Sequence, residues 1–376
     1  MLFFYSFAML CVMCDKKDFR EEGHIIDSLN ISVILVVGEA QEGPLISCLS
    51  SISLNRACRY EILLVDLGTN ESISSLLEKV ATYYPEVRLL TSPKPSFAAA
   101  FNYAVNCARG QYVLCVDMAD RLLPETLDKA WRLLSSGDTD FLIGRVLTEE
   151  EKNPGKDAEE TVLQILPESV VPIGPSAGVP LERLRVYYLT MDDPLFVSGK
   201  KVIDRRVHAR FVERTLLCEV PLREDLSFGE GILWNFEMLR QALVIKVALF
   251  PFLQGPAPAL PEPTGLWASF PVELDRLLTL YRREIATWPA RNRVYYYNAA
   301  VEYFPLLCRT YVFAQKDGKE KERFMTEVQS PFWRRVFKRA EEKKLRRSLR
   351  MIAVLGKTGM DGPLYRLCKG RYGGKK

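Results

Sequence analysis

Between residues 31 and 146, short runs of strand-forming residues alternate with stretches of helical periodicity, and this alternation restricts the fold more than any other feature. ISVILVV (31–37), YEILLVD (60–66), VRLL (87–90), QYVLCV (111–116) and FLIGRV (141–146) are continuous apolar runs, the pattern of strands covered on both faces. Helices are expected between them. Pro44 can open one that carries Leu45, Cys48, Leu49 and Ile52, and Ile73, Leu76, Leu77 and Val80 share one side of another over 72–84. Ser96 is a natural N-cap and Gly110 sits where a helix takes a left-handed stop. A further helix is expected over 124–134. Strands separated by helices of this length predict a parallel, right-handed α/β sheet.

In such a sheet, ligands sit beyond the carboxyl ends of the strands. Two acids fall there together: Asp117 and Asp120 follow the strand ending at Val116. Asp66 ends an earlier strand, with Gly68 in the turn after it. Asp66 also suits a turn cap, and Asp120 suits a cap for the helix after Pro124.

Beyond residue 147 the pattern changes. An acidic, Pro- and Gly-containing stretch (148–180) reads as a flexible insertion or lid, whose acids Glu149, Glu150, Glu151 and Asp157 are placed to swing over a cleft. A helix over 232–242 and a strand over 244–250 lead into a proline-rich linker, 256–270. The region 271–376 is helical, with the aromatic series Tyr295, Tyr296, Tyr297, Tyr303 and Phe304 expected in its core. Residues 331–376 hold 15 Lys or Arg against 3 Asp or Glu, a net of +12, which leaves −8 for the rest of a chain whose total is +4. A basic helix over 331–355, punctuated by Trp333, Val336, Phe337, Leu345, Leu349 and Ile352, suits an anionic membrane surface. No nucleic-acid module accompanies it, so nucleic-acid binding is not expected.

The first 14 residues are apolar but too few to span a bilayer, and residues 1–28 read as an extension that anchors peripherally or lies upstream of the true start. The nine cysteines are scattered and are expected to be buried free thiols in a reducing compartment. His24 and His208, the only histidines, have no Asp or Cys setting in the sequence that suggests a triad, so a histidine-based mechanism is not expected.

The order of these elements resembles family 2 glycosyltransferases, which have the GT-A, Rossmann-like fold. SVILVVGEA stands for the opening strand of that family, and Cys48–Ile52 (CLSSI) for its helical segment. EILLVDLGTNE matches a strand usually read EIIVVDDGSTD, with Leu67 in place of the second acid. KPSFAAAFNYA keeps Asn102 of the next helix but has Phe101 where a basic residue is usual. GQYVLCVDMADRLLP matches the strand and metal loop, with Ala119 at the middle acid, and FGEG (228–231) matches an FGED-like motif with Gly231 at its final acid.

The resemblance implies a GT-A-like domain over 29–255, a mostly parallel sheet flanked by helices, with the helical basic region as an extension. It implies donor contacts from Asp66, Gly68, Asn102 and Asp117, and a divalent metal, Mn or Mg, on Asp117 and Asp120. It implies an inverting hexosyl transfer from a nucleotide sugar to a glycan or lipid-linked acceptor in cell-envelope polysaccharide synthesis, by a cytoplasmic protein peripheral to the inner membrane face. With Gly231 in place of the usual base, Glu230 is the candidate, and Glu224 and Asp225 are substitutes in the same loop. The losses in these motifs also fit an inactive GT-A-like module that binds a nucleotide, a glycan or a partner protein. A nucleotidyltransferase is disfavoured, because GEAQEG after the first strand lacks the basic residue of a phosphate-cradling loop.

Overall fold

The first strand, β1 (Ile31–Val37), sends Ile31, Val33, Leu35 and Val37 to one face of a sheet and Ile34 to the other, as its period of two requires. It lies at the centre of a parallel set, paired with β2 (Tyr60–Asp66) on one side and β4 (Tyr112–Val116) on the other; β3 (Val87–Thr91) pairs with β2. The computed structural model describes residues 29–38, 42–55, 57–136, 139–148, 161–166, 179–190, 197–198, 201–203, 205–226, 228–255, 268–288 and 292–373. The expected N-terminal extension (1–28), most of the 148–180 insertion with its four acids, and most of the linker lie outside the described residues.

Helix α1 (Glu42–Ile52) follows β1, α2 (Glu71–Tyr83) follows β2 and α3 (Phe97–Cys107) follows β3. Ser96 caps α3, accepting from the Ala99 amide. Gly110 is not the left-handed stop expected of it, since α3 ends on Ala108 in an extended conformation. Its glycine is needed for close approach: a Cβ there would lie 2.4 Å from the Ser32 amide nitrogen on β1. That contact is tied by Gly110 N–H donating to Ser32 Oγ at 2.8 Å, and by Ser32 Oγ donating to the buried Glu61 carboxylate at 2.7 Å.

Past β4 the sheet departs from the parallel expectation. After β5 (Arg121–Leu122), α4 (Thr126–Ser135), β6 (Phe141–Thr148), β7 (Val162–Leu166), β8 (Val179–Pro180) and α5 (Leu181–Thr190), the chain runs through β9 (Val197–Ser198) and β10 (Lys201–Val202) into β11 (Arg210–Glu213). β11 inserts between β4 and β6, antiparallel to both. It brings the segment before it, Arg205–Ala209, to the carboxyl end of β4. Helices α6 (Arg214–Glu219) and α7 (Glu230–Gln241) then lead to β12 (Ile245–Gly255). This strand runs five residues beyond the expected stop. It passes Pro251 through a register shift against β6, where a residue without an N–H can be accommodated. Among the described residues the sheet has twelve strands in the order β3-β2-β1-β4-β11-β6-β12-β7-β8, with β5, β9 and β10 off this path.

Helices α1, α2 and α4 cover one face of the sheet. The other face packs on α3, α5, α6 and α7, and its core continues without a break into the C-terminal helices α8 (Phe270–Ala286), α9 (Arg293–Leu307), α10 (Glu320–Gln329), α11 (Pro331–Arg339), α12 (Arg347–Lys357) and α13 (Asp361–Tyr372). The expected single basic helix over 331–355 is therefore broken. The side chain of Asn298 on α9 takes the backbone of Glu341: its Oδ1 accepts the Glu341 N–H at 2.9 Å and its Nδ2 donates to Glu341 O at 3.4 Å. The six apolar residues expected to meet a membrane, Trp333, Val336, Phe337, Leu345, Leu349 and Ile352, are all buried in this core. Tyr296, Tyr303 and Phe304 are buried as expected. No described helix is long and apolar enough to cross a membrane.

A buried carboxylate joins the tail to the sheet domain. Glu302 Oε2 lies 3.1 Å from Arg346 Nη2 and 3.7 Å from Arg205 Nη1.

Candidate active site

The end of β4 closes into a tight acidic turn. Asp117 Oδ1 accepts the Ala119 N–H at 2.9 Å, and Asp120 Oδ2 accepts the Asp117 N–H at 3.0 Å. The two acids then part company. Asp117 lines a cleft of about 200 Å³, whereas Asp120 is 0% exposed and is not among the lining residues. Nor does Asp120 cap the following helix, whose N-cap, Glu125, has no side-chain cap bond. Its Oδ1 faces Gly255 on β12 and has no hydrogen-bond partner among the described residues. Burial raises its pKa, against a smaller opposing pull from the nearby imidazole. That imidazole belongs to His208, with Nδ1 3.4 Å from Asp120 Oδ2. The expectation that His208 lacks an Asp setting is thus corrected: the partner is brought up by β11 and is remote in sequence.

His208 shares the cleft with Asp117, Arg205, Arg206, Phe97 and Glu230. It is held by its neighbours. Ala209 takes a left-handed φ of 55°, an uncommon conformation for a residue with a Cβ. Arg210, fully buried, donates from Nη1 to His208 O at 3.0 Å and from Nε to Asn235 Oδ1 at 3.2 Å.

The opposite wall is the start of α7. Gly229, its N-cap, has φ 76°, and a Cβ there would meet Leu277 at 2.7 Å, so glycine is required on both counts. Glu230 follows as the first helical residue, part-buried in the cleft, and loss of solvent raises its pKa. Asn235, one turn further along, joins the two walls. Its Nδ2 donates to Gly231 O at 2.6 Å and to Arg205 O at 3.1 Å.

The other candidate bases are already engaged. Asp225 pairs with Arg223 and Arg276 at 2.8 and 2.7 Å, and Glu224 pairs with Lys94 at 2.7 Å; these partners lower both carboxyl pKa values. Asn102 turns its amide to Leu222, accepting its N–H and donating to its carbonyl, both at 2.9 Å, and does not line the cleft. Asp66 shapes its turn, accepting from Gly68 N–H at 2.8 Å and Ser74 Oγ at 2.5 Å. Arg206, His208 and Asn235 went unrecognised in the sequence. The basic cluster in DRRVHARF was the one available signal, and nothing in it pointed to Asp120.

The model of glycosyl transferase family 2 matches residues 32–192. Over this stretch the chain is similar to family 2 glycosyltransferases. S. aureus TarS 1-349 is similar in structure over 92% of this chain and 92% of that one, with a TM-score of 0.54 at 14% identity. The same TarS fragment in complex with UDP-GlcNAc is similar over 91% of each chain, with the same TM-score and identity. At these identities the likeness shows the fold, which is GT-A. No curated protein sequence matches the chain.

The glycosyltransferase family implies a divalent cation at the acidic loop, and the residues present do not fit one. Hard cations need several oxygen donors, of which the protein commonly supplies one or two carboxylates. Here one of the two expected acids, Asp120, is enclosed and faces an imidazole. The other, Asp117, shares its cleft with two arginines and that imidazole. No group of three His, Cys, Asp or Glu able to hold a metal occurs among the described residues.

Proposed function

We propose that this glycosyltransferase domain moves a hexosyl group, with inversion, from a nucleotide-sugar donor to a hydroxyl of a glycan or lipid-linked acceptor in cell-envelope polysaccharide synthesis, at the inner face of a membrane. The observation that carries this reading is the cleft itself. Asp117 from the β4 end and Glu230 from the α7 start face one another's space beyond the parallel strands, beside Arg206 and His208. TarS has been captured with UDP-GlcNAc and with UDP, which favours a UDP-sugar as donor.

In the proposed reaction the nucleoside lies over the ends of β1 and β2, where Asp66 and Gly68 form the turn. Arg206 and His208 neutralise the diphosphate as the bond from the anomeric carbon to the leaving oxygen breaks. The acceptor oxygen attacks from the opposite side, and Glu230 takes its proton. Burial suits Glu230 to this task, because a raised pKa makes a carboxylate a better proton acceptor. A non-catalytic donor- or glycan-binding module is the second reading, favoured by Gly231 at the usual base position and by the enclosure of Asp120.

The test is thermal stabilisation by UDP-, GDP-, dTDP- and CDP-sugars, each in EDTA and in Mn²⁺, followed by a transfer assay with whichever donor binds. A ligand at 100 times its Kd stabilises by ~2.7 kcal/mol, a readily measured shift. Binding followed by donor hydrolysis or transfer supports the enzyme. Binding without turnover supports a donor-binding module, and no binding at all removes the enzyme and leaves the glycan-binding module as the better reading.

A further inference from the structure

A second cavity, of about 370 Å³, lies away from the cleft between α8, α9 and α11. Arg282 comes from α8, Arg293 from the first position of α9, and Arg335 and Arg339 from α11. Tyr296, Tyr297 and Phe332 contribute aromatic surface, and no carboxylate lines the space. Arg339 Nη1 donates to Tyr297 OH at 2.7 Å, with its guanidinium 5.5 Å from the Tyr297 ring centre. Arg282, Arg293 and Arg335 form no ion pair among the described residues. Arginine pairs readily with carboxylates where they are at hand, and elsewhere in this chain Arg223, Arg276, Arg323 and Arg334 all do so. Four side chains that stay charged at any physiological pH and converge without an anion repel one another, a cost that a bound anion removes.

We propose that this cavity binds a phosphate group. Planar, five-donor guanidinium groups match phosphate oxygens two at a time, and an aromatic wall receives the carbon skeleton that bears the phosphate. The volume lies at the lower end of the range for small-molecule sites, enough for a phosphate with a modest organic substituent. A soluble phosphorylated metabolite and the headgroup of an acidic phospholipid both present this chemistry. The site is separate from the donor cleft, and the inference does not depend on the reaction proposed there.

Phenylglyoxal modification of the full-length protein, mapped by peptide mass spectrometry, reads the cavity directly. Inorganic pyrophosphate, or vesicles of phosphatidic acid in phosphatidylcholine, should slow modification of Arg293 and Arg335 at least tenfold relative to Arg366, which does not line the cavity. Protection by pyrophosphate identifies a soluble ligand class; protection by the acidic vesicles alone identifies a lipid headgroup. Equal modification rates under both conditions overturn the proposal. As a second arm, Arg282→Gln/Arg335→Gln, both exposed and unpaired, should lower the affinity for the protecting probe at least tenfold with the fold intact. Unchanged affinity in that variant also overturns it.

Discussion

The Asn235 amide nitrogen lies 3.1 Å from the carbonyl oxygen of Arg205, and this bond ties the helix carrying Glu230 to the segment carrying Arg206 and His208. The same nitrogen bonds Gly231 O, and the amide oxygen accepts from Arg210, which in turn holds His208 O. One buried side chain therefore ties the two walls of the cleft together. Asn235→Leu, close in volume, leaves these groups unsatisfied and should cost about 1–3 kcal/mol for each group that finds no water. Urea denaturation measures the loss. Donor affinity should fall as well, which a purely structural residue far from the cleft would not cause.

Glu230→Gln keeps the shape of the wall and removes the proton acceptor. Turnover should fall by roughly 10²–10⁴-fold with little change in donor affinity. The carboxylate is the working form and its pKa is raised, so activity should be lost as pH falls through a value above the ordinary 4.5. A pH–rate profile for kcat locates that limb. A limb unmoved in Glu230→Gln would assign it to another group.

Charge neutralisation by side chains makes a separate prediction. Donor binding measured by calorimetry should be the same in EDTA as in Mn²⁺. Arg206→Gln should weaken it by about 1.5–3 kcal/mol, the range for a hydrogen bond to a charged group. Binding that requires Mn²⁺ would return the acidic loop to its expected role.

Asp120 predicts a pH-dependent stability. Its folded pKa is raised, so the fold favours the protonated form. Its contribution is present below the unfolded value of ~3.9 and is lost as pH rises through the folded value. Asp120→Asn lacks this ionisation. Its stability relative to the native chain should therefore be lowest in acid and should improve as pH rises, levelling above the folded pKa. Chemical denaturation across that pH range gives the difference directly.

The first half of the fold was legible because β1, β2 and β4 are continuous apolar runs, and a strand buried on both faces leaves that imprint. β11 was not, since RFVE is four residues long and its position between β4 and β6 is settled only by packing. The extension of β12 through Pro251 was hidden for a related reason: proline argues against a strand unless a register shift receives it, and that shift is a property of the pair with β6. In the site, Asp117 and Glu230 were legible from motif order. His208 was not, because its partner Asp120 becomes a neighbour only through the antiparallel insertion. The break after Arg339 likewise comes from Asn298, a side chain in another helix that outbids local helical preference.

Glu302 stands between a guanidinium of the cleft and a guanidinium of the basic tail. Shortening the chain before Arg346 would strip one cation from a buried carboxylate that Arg205 also faces. A preparation trimmed to the α/β half would go further, taking Glu302 itself and exposing the apolar surface that α8 and α9 cover. Failure of such a fragment to transfer sugar would report on the missing scaffold, and only the whole chain gives the cleft a fair trial.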